Sequence, residues 1–145
     1  MTRIDFYLLQ DLELPAMYRF ACALAAKASA TGTRVFVRTP DESAAGEVDA
    51  LMWAYPPERF VPHSTDPRES DITPVLIHAE PPRQASGLMI NLGDDVAPFF
   101  GRFDRVAEIV VGERKAEGRA RYKHYRDRGC PLYHHELDDW EARSA

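Results

Sequence analysis

The chain opens on Arg3-Ile4-Asp5-Phe6-Tyr7-Leu8-Leu9, a run that carries apolar side chains on both of its faces. Such a run is typical of a strand that is buried on both sides of a sheet. Apolar residues at helical spacing follow over 14–30, and Thr33-Arg34-Val35-Phe36-Val37-Arg38 has the pattern of a second strand. The order strand, helix, strand predicts a parallel sheet with right-handed crossovers.

A second helix completes the β-α-β-α order of the first half, and a long proline-punctuated segment is expected to follow over 56–74. Thr39 is predicted to cap a second helix, with Pro40 at its first position and Glu42 completing a capping box. Further strands are expected at 74–79, 88–92, 106–111 and, as a last edge strand, 131–137, with a basic helix over 113–128. We therefore predict a Rossmann-like α/β fold of three layers. Its sheet would be mostly parallel with an antiparallel edge, and helices would cover both faces.

Length and composition indicate one domain, which we place at residues 1–137, followed by a charged tail at 138–145. No apolar run is long enough to cross a bilayer. The first residues lack a signal-peptide pattern because Asp5 interrupts the first apolar stretch, so we expect a cytoplasmic protein. Cys22 and Cys130 are expected to be buried thiols and not a disulfide.

A basic segment interrupts this acidic chain. Residues 114–128 hold seven of the 18 Lys and Arg and carry a net charge of +5, against −10 for the remainder. On a helix, Arg119, Tyr122, Lys123 and Arg126 share one face. That face suits an anionic, partly apolar ligand, although a solvated charged face is the alternative. The apolar stripe of this helix is thin, with mainly Ala116 and Ala120 besides the tyrosines.

A second segment concentrates aromatic and apolar residues outside regular structure. The segment is 51–63, and it contains Trp53 and, between prolines, Phe60, Val61 and Pro62. One interpretation is that Trp53 and Phe60 cover the core. The other is a protein–protein contact surface, because aromatic rings held in rigid loops are effective anchors.

The sequence contains no pattern of catalytic or cofactor-binding residues. The turn after the first strand has acidic residues and no glycine-rich motif that would hold a phosphate. The five histidines lack metal-ligand spacing, and Ser64 beside His63 is not a nucleophile elbow. We therefore predict no enzyme activity, cofactor or metal. A small nucleotide- or phosphate-binding enzyme remains the alternative.

The order of these segments resembles the chi subunit family of the bacterial DNA polymerase III holoenzyme. The likeness spans nearly the whole chain, and its most specific part is Phe-Val-Pro-His combined with Arg-Tyr-Lys-x-Tyr-Arg. It departs near 64–73, near 80–87 and after residue 137. The residues that carry it are Ile4-Asp5-Phe6-Tyr7-Leu8-Leu9, Gly32-Thr33-Arg34-Val35, Leu51-Met52-Trp53, Phe60-Val61-Pro62-His63, Ile90-Asn91-Leu92 and Ala120-Arg121-Tyr122-Lys123-His124-Tyr125-Arg126.

The resemblance implies a non-catalytic adaptor of DNA replication. It implies a heterodimer with the psi subunit, which would connect the chain to the clamp loader. It also implies binding of the acidic C-terminal tail of single-stranded DNA-binding protein, which ends in Pro-Phe, without strong binding of DNA itself. The tail-binding residues of the family correspond to Arg119, Tyr122, Lys123 and Arg126. The psi contact corresponds to Phe60 and its neighbours Trp53, Val61 and Pro62.

Overall fold

The computed structural model describes residues 1–57, 59–138 and 140–141. Over these ranges the chain begins with a strand, a helix, a strand and a helix, as the sequence predicts, and it then forms the short strand His63–Ser64, which the sequence analysis did not predict. Three short 3-10 helices lie between the main elements. The main elements are β1 (Arg3–Leu9), α1 (Leu14–Ala30), β2 (Val35–Arg38), α2 (Glu42–Ala54), β3 (His63–Ser64), β4 (Val75–His78), β5 (Leu88–Asn91), β6 (Arg105–Val110), α3 (Lys115–Asp127) and β7 (Leu132–Leu137).

The strands form one seven-stranded sheet in the order β3-β4-β2-β5-β6-β1-β7. Every strand pair in the described residues is parallel, so the predicted antiparallel edge is wrong. The reason lies in α3, which connects β6 to β7. A helical crossover returns the chain to the starting end of the sheet, and β7 therefore runs parallel to β1. The α/β class and the layers of helices are confirmed.

The sheet is buried on both faces. Helices α1 and α2 pack on one face, where alternate strand residues such as Val37, Ile77 and Ile109 form the larger core. Helix α3 covers part of the other face, where Phe6, Phe36 and Tyr125 belong to a second core. Burial on both faces explains why inner strands such as β2, β4 and β5 are near-continuous hydrophobic runs.

The start of α2 differs from the prediction. The side chain of Asp41, and not of Thr39, accepts a hydrogen bond from the Ala44 amide at 2.8 Å. The helix begins at Glu42, so neither the Thr39 cap nor the capping box forms. Asp41 is the N-cap residue because β2 extends through Arg38. Thr39 therefore lies in the buried connection between β2 and α2 and not at the helix terminus.

The C-terminal residues that the structure describes pack against the domain. Trp140 is buried and its ring meets Phe20 edge-on at 5.1 Å. Glu141 forms an ion pair with Arg19 at 3.1 Å and accepts a hydrogen bond from the Tyr55 hydroxyl. Burial and this hydrogen bond raise the pKa of Tyr55 to about 12. The predicted tail otherwise falls partly on residues 139 and 142–145, which lie outside the described residues, and its boundary at 137 stays a prediction.

Two further expectations concern the cysteines and membrane segments. Cys22 and Cys130 are both free thiols; Cys22 is buried and Cys130 only half-buried. Burial raises the pKa of Cys22 to about 12. In the described ranges, no helix has both the length and the apolar character that a bilayer span requires.

Candidate functional site

The rotation of α3 decides which of its side chains face solvent. The buried positions are Gly118, Arg121 and Tyr125, whereas Ala116 and Ala120 are exposed. The tyrosines of the predicted apolar stripe pack against the domain, but its alanine part does not face inward. Its place is taken by a polar contact, in which Arg121 Nε donates to Glu108 Oε1 at 2.8 Å and the Tyr125 hydroxyl donates to Glu108 Oε2 at 2.6 Å.

Glu108 lies on β6 and is fully buried. The Asn91 side-chain amide donates a further hydrogen bond to it at 2.9 Å. Burial raises the pKa of Glu108, and the charge of Arg121 opposes that shift. Burial and the neighbouring Glu108 also raise the pKa of Tyr125. A buried carboxylate with this many partners holds α3 in a single rotation, because any other would leave charges unpaired.

That rotation turns the predicted cations outward. Arg119, Lys123 and Arg126 are exposed on α3. Tyr122 is half-buried. Its ring packs edge-on against Phe6, with the ring centroids 5.4 Å apart, and at a tilt against His134, with the centroids 5.1 Å apart. Arg126 also lies 3.6 Å from the Asp127 carboxylate, a surface pair of little strength. The four predicted residues thus lie along one side of one helix.

A groove of about 610 Å³ runs between α3 and the strands β1 and β7. Of the four predicted residues, Arg119 and Tyr122 line it, whereas Lys123 and Arg126 continue the cationic surface beyond it. Lys115 and the exposed Leu12 also line it. The sequence reasoning missed both. Lys115 is detectable because it lies four residues before Arg119, one helical turn along the same face.

The groove is electrically asymmetric. Lys115 and Arg119 lie on its α3 side, and Glu136 and Asp138 lie on its β7 side. Its floor is apolar and includes Phe6, Leu8 and Val110. The arrangement can hold an apolar side chain while nearby cations bind a carboxylate.

The second predicted surface lies at the end of α2. Trp53 is 62% exposed and Phe60 is 69% exposed, with their ring centroids 5.6 Å apart. Pro62 is also exposed. Val61, by contrast, is only 3% exposed and belongs to the core, so its side chain is not on this surface. The interpretation in which Trp53 and Phe60 cover the core is therefore wrong.

The crevice where related folds bind nucleotides has an unsuitable lining. The Leu14 amide at the start of α1 donates to the carboxylate of Glu113 at 2.8 Å. A protein carboxylate thus occupies the helix terminus that would bind a phosphate. The neighbouring crevice of about 300 Å³ is lined by Asp41, Glu47 and Asp94, with Arg114 and Arg121 as its cations.

Three known proteins are similar to this chain over most of its length. The chain is 36% identical over 139 residues to the DNA polymerase III subunit chi of Pseudomonas aeruginosa, covering 94% of the chain and 98% of that protein. It is 35% identical over 144 residues to the subunit chi of Escherichia coli, covering 91% and 96%. For the subunit chi of Haemophilus influenzae the identity is 30% over 133 residues, covering 88% and 92%.

The family model described as DNA polymerase III chi subunit, HolC, matches residues 1–133, which include α3 and the surface of Trp53 and Phe60. The chain therefore belongs to the DNA polymerase III chi subunit family and is a component of the DNA replication machinery.

Proposed function

We propose that the chain is a non-catalytic adaptor that links the clamp loader, through psi, to the acidic C-terminal tail of single-stranded DNA-binding protein. The observation that carries this proposal is the groove beside α3, in which Lys115 and Arg119 stand next to an apolar floor. A tail that ends in Phe with a free carboxylate has the matching chemistry. The partners themselves come from the family resemblance.

In this proposal the terminal Phe ring enters the groove beside Tyr122, and its carboxylate pairs with Arg119 or Lys115. The preceding acidic residues follow the exposed side of α3, where Lys123 and Arg126 lie. Each exposed ion pair contributes little and is screened by salt. Binding therefore depends on several cations acting together and weakens as ionic strength rises.

Psi binds at the other surface, through Trp53, Phe60 and Pro62. The two rings form an exposed aromatic pair, and Trp53 is further supported by an edge contact with His63 at 4.8 Å. Aromatic side chains that become buried in a complex carry much of its binding energy. Val61 supports the loop from beneath and does not itself contact psi.

The alternative, a small nucleotide- or phosphate-binding enzyme, has less support. The Glu113 carboxylate already accepts the hydrogen bond of the Leu14 amide at the start of α1. The acidic residues of the adjacent crevice repel phosphate. An adaptor needs only two binding surfaces, which here are the groove beside α3 and the surface of Trp53, Phe60 and Pro62.

Calorimetric titration with a short acidic peptide ending in Pro-Phe tests the proposal. We expect Arg119→Glu and Lys123→Glu each to weaken binding about tenfold, since a favourable charge contact becomes a repulsive one. Arg83→Glu is the matched control, because Arg83 is exposed on a loop away from the groove. Unchanged affinity in both α3 variants would show that the tail binds elsewhere, and binding of mononucleotides instead would favour the enzyme.

A further inference from the structure

A second groove, of about 590 Å³, lies on the opposite face of the sheet. Helix α1 packs over β2, β5 and β6, and the groove opens between α1 and the edge strand β7. Its walls include Phe20, Leu24, Leu137 and Trp140, and Tyr7 contributes to its floor. The resemblance assigns no role to this surface.

The charge of this groove is one-signed. Lys27, Arg105 and His135 line it, and no acidic side chain does so among the described residues. Beside the groove, Asp5 is buried and contacts Arg105 at 3.2 Å, His135 at 2.8 Å and Arg3 at 3.0 Å. Arg105 and Arg3 share this one carboxylate, and Lys27 is not part of the cluster, so Lys27 keeps positive charge in the groove. The groove therefore complements an anionic ligand, although the whole chain carries a charge of −5.

The edge of β7 adds main-chain hydrogen-bonding groups beside the groove. Ile4 N–H donates to the Pro131 carbonyl at 2.9 Å, and β7 pairs with β1 in the register Ile4↔Leu132. In a parallel pair, alternate residues direct their main-chain groups to the same neighbour. Leu132, His134 and Glu136 thus direct theirs away from β1. In the described part of the chain, no strand lies beyond β7.

We propose that this groove and the free edge of β7 together bind an extended acidic segment of a partner protein, which pairs with β7 as an added strand. A free strand edge favours a peptide over a small anion, because it satisfies main-chain groups that only a polypeptide offers in register. Alternate side chains of the added strand would enter the groove. Those side chains would be apolar beside Phe20 and Trp140 and acidic near Lys27 and Arg105, which both lie at the end of the groove where β5 and β6 begin.

The probe is the peptide Asp-Thr-Leu-Thr-Phe-Thr-Asp, acetylated and amidated so that it has no free terminal carboxylate. All its acidic and apolar side chains lie on one face of a strand. The control peptide Asp-Leu-Thr-Thr-Thr-Phe-Asp has the same composition but places the apolar side chains on the opposite face. We expect the probe to bind the full chain and the control to bind much more weakly.

Titration is followed by amide chemical shifts of the full chain. The expected changes concentrate on Leu132 to Leu137 and on the indole of Trp140. Lys27→Glu should weaken the probe about fivefold, and Arg83→Glu should not change its affinity, since Lys27 lines the groove and Arg83 does not. Lys27 is exposed on the last turn of α1, so this change leaves the core intact.

A parallel titration with the acidic peptide ending in Pro-Phe separates this inference from the proposed function. Arg119→Glu should weaken that peptide and leave the probe unaffected, and Lys27→Glu should do the reverse. The inference is overturned if the probe shifts resonances of α3 instead of β7, if both heptapeptides bind equally, or if neither binds at millimolar concentration.

Discussion

The stabilising contacts of Asp5 in the sheet depend on the protonation of its carboxylate. Its carboxylate is almost fully buried on β1 and contacts Arg3, Arg105 and His135. Burial alone would raise the pKa of Asp5. The hydrogen bonds from His135 and Arg3 and the charge of Arg105 outweigh burial, so the pKa lies below its ordinary value of 3.8. The charged form is therefore the one that the fold stabilises.

Asp5→Asn should lower the free energy of unfolding by about 2 kcal/mol at neutral pH, because charge-assisted hydrogen bonds are lost. An acid with a depressed folded pKa stabilises the fold above its unfolded pKa and loses that contribution as pH falls through the folded value. The difference between the two proteins should thus shrink below a pH of about 4. Urea denaturation at several pH values measures it, and a difference that grows on acidification would contradict the assignment.

Because Phe60 is exposed, its substitution should affect binding to psi and not the stability of the fold. We expect Phe60→Ala to change the thermal unfolding midpoint little, since the ring is 69% exposed, and to weaken psi association by about 2 kcal/mol. Phe36→Ala is the contrasting variant, because Phe36 is buried and stacked on Phe103, and its loss should cost about 3–5 kcal/mol of stability. Thermal melts beside a pull-down with psi test both expectations. Normal psi binding by Phe60→Ala would exclude this ring as an anchor.

At the scale of elements, the orientation of α3 depends on its contact with β6. Arg121→Ala leaves the Glu108 carboxylate buried without its cation, and we expect a loss of about 3–5 kcal/mol in the free energy of unfolding. Arg119→Ala, two residues away but exposed, should change stability by less than about 0.5 kcal/mol. Chemical denaturation of both variants makes the comparison. Equal stability of the two variants would mean that the Glu108 contact does not hold the helix.

The groove between α3 and β7 has a carboxylate rim that works against an acidic ligand. Glu136 is exposed on that rim and lines the groove opposite Arg119. Replacing Glu136 with Gln removes one repulsive charge and should strengthen binding of the acidic Pro-Phe peptide about twofold at low salt. The gain should vanish at high ionic strength. Calorimetry at two salt concentrations checks it, and weaker binding by the variant would place the peptide elsewhere.

At the scale of the whole molecule, the two proposed partner surfaces lie toward opposite edges of the sheet. Phe60 precedes β3 at one edge, and the groove beside α3 borders β7 at the other. Strand spacing places these edges roughly 29 Å apart. One chain can therefore hold both partners at once, as an adaptor must.

We accordingly expect saturation with psi to leave the affinity for the acidic Pro-Phe peptide unchanged. The peptide titration is repeated on the isolated chain and on its complex with psi. Competition between the two ligands would show that the surfaces overlap or that binding at one alters the other.

Local patterns in the sequence determined six of the seven strands, the three helices and the face of α3 that its cations share, whereas the two-residue β3 was not predicted. Apolar runs such as Ile4 to Leu9 and the helical spacing of Arg119, Tyr122 and Lys123 need only neighbouring residues to be recognised. The same patterns predicted the α/β class, because alternation of strands and helices leaves few ways to bury a sheet.

Only the tertiary structure decided which residues meet. The parallel direction of β7, the Glu108 partner of Arg121 and the inward position of Val61 each depend on residues distant in the chain. The position of Lys115 in the groove also depends on distant residues, because β1 and β7 form the opposite wall of the groove. The spacing of residues along a helix shows which of them lie on the same face. The packing of that helix on the sheet decides whether this face is buried.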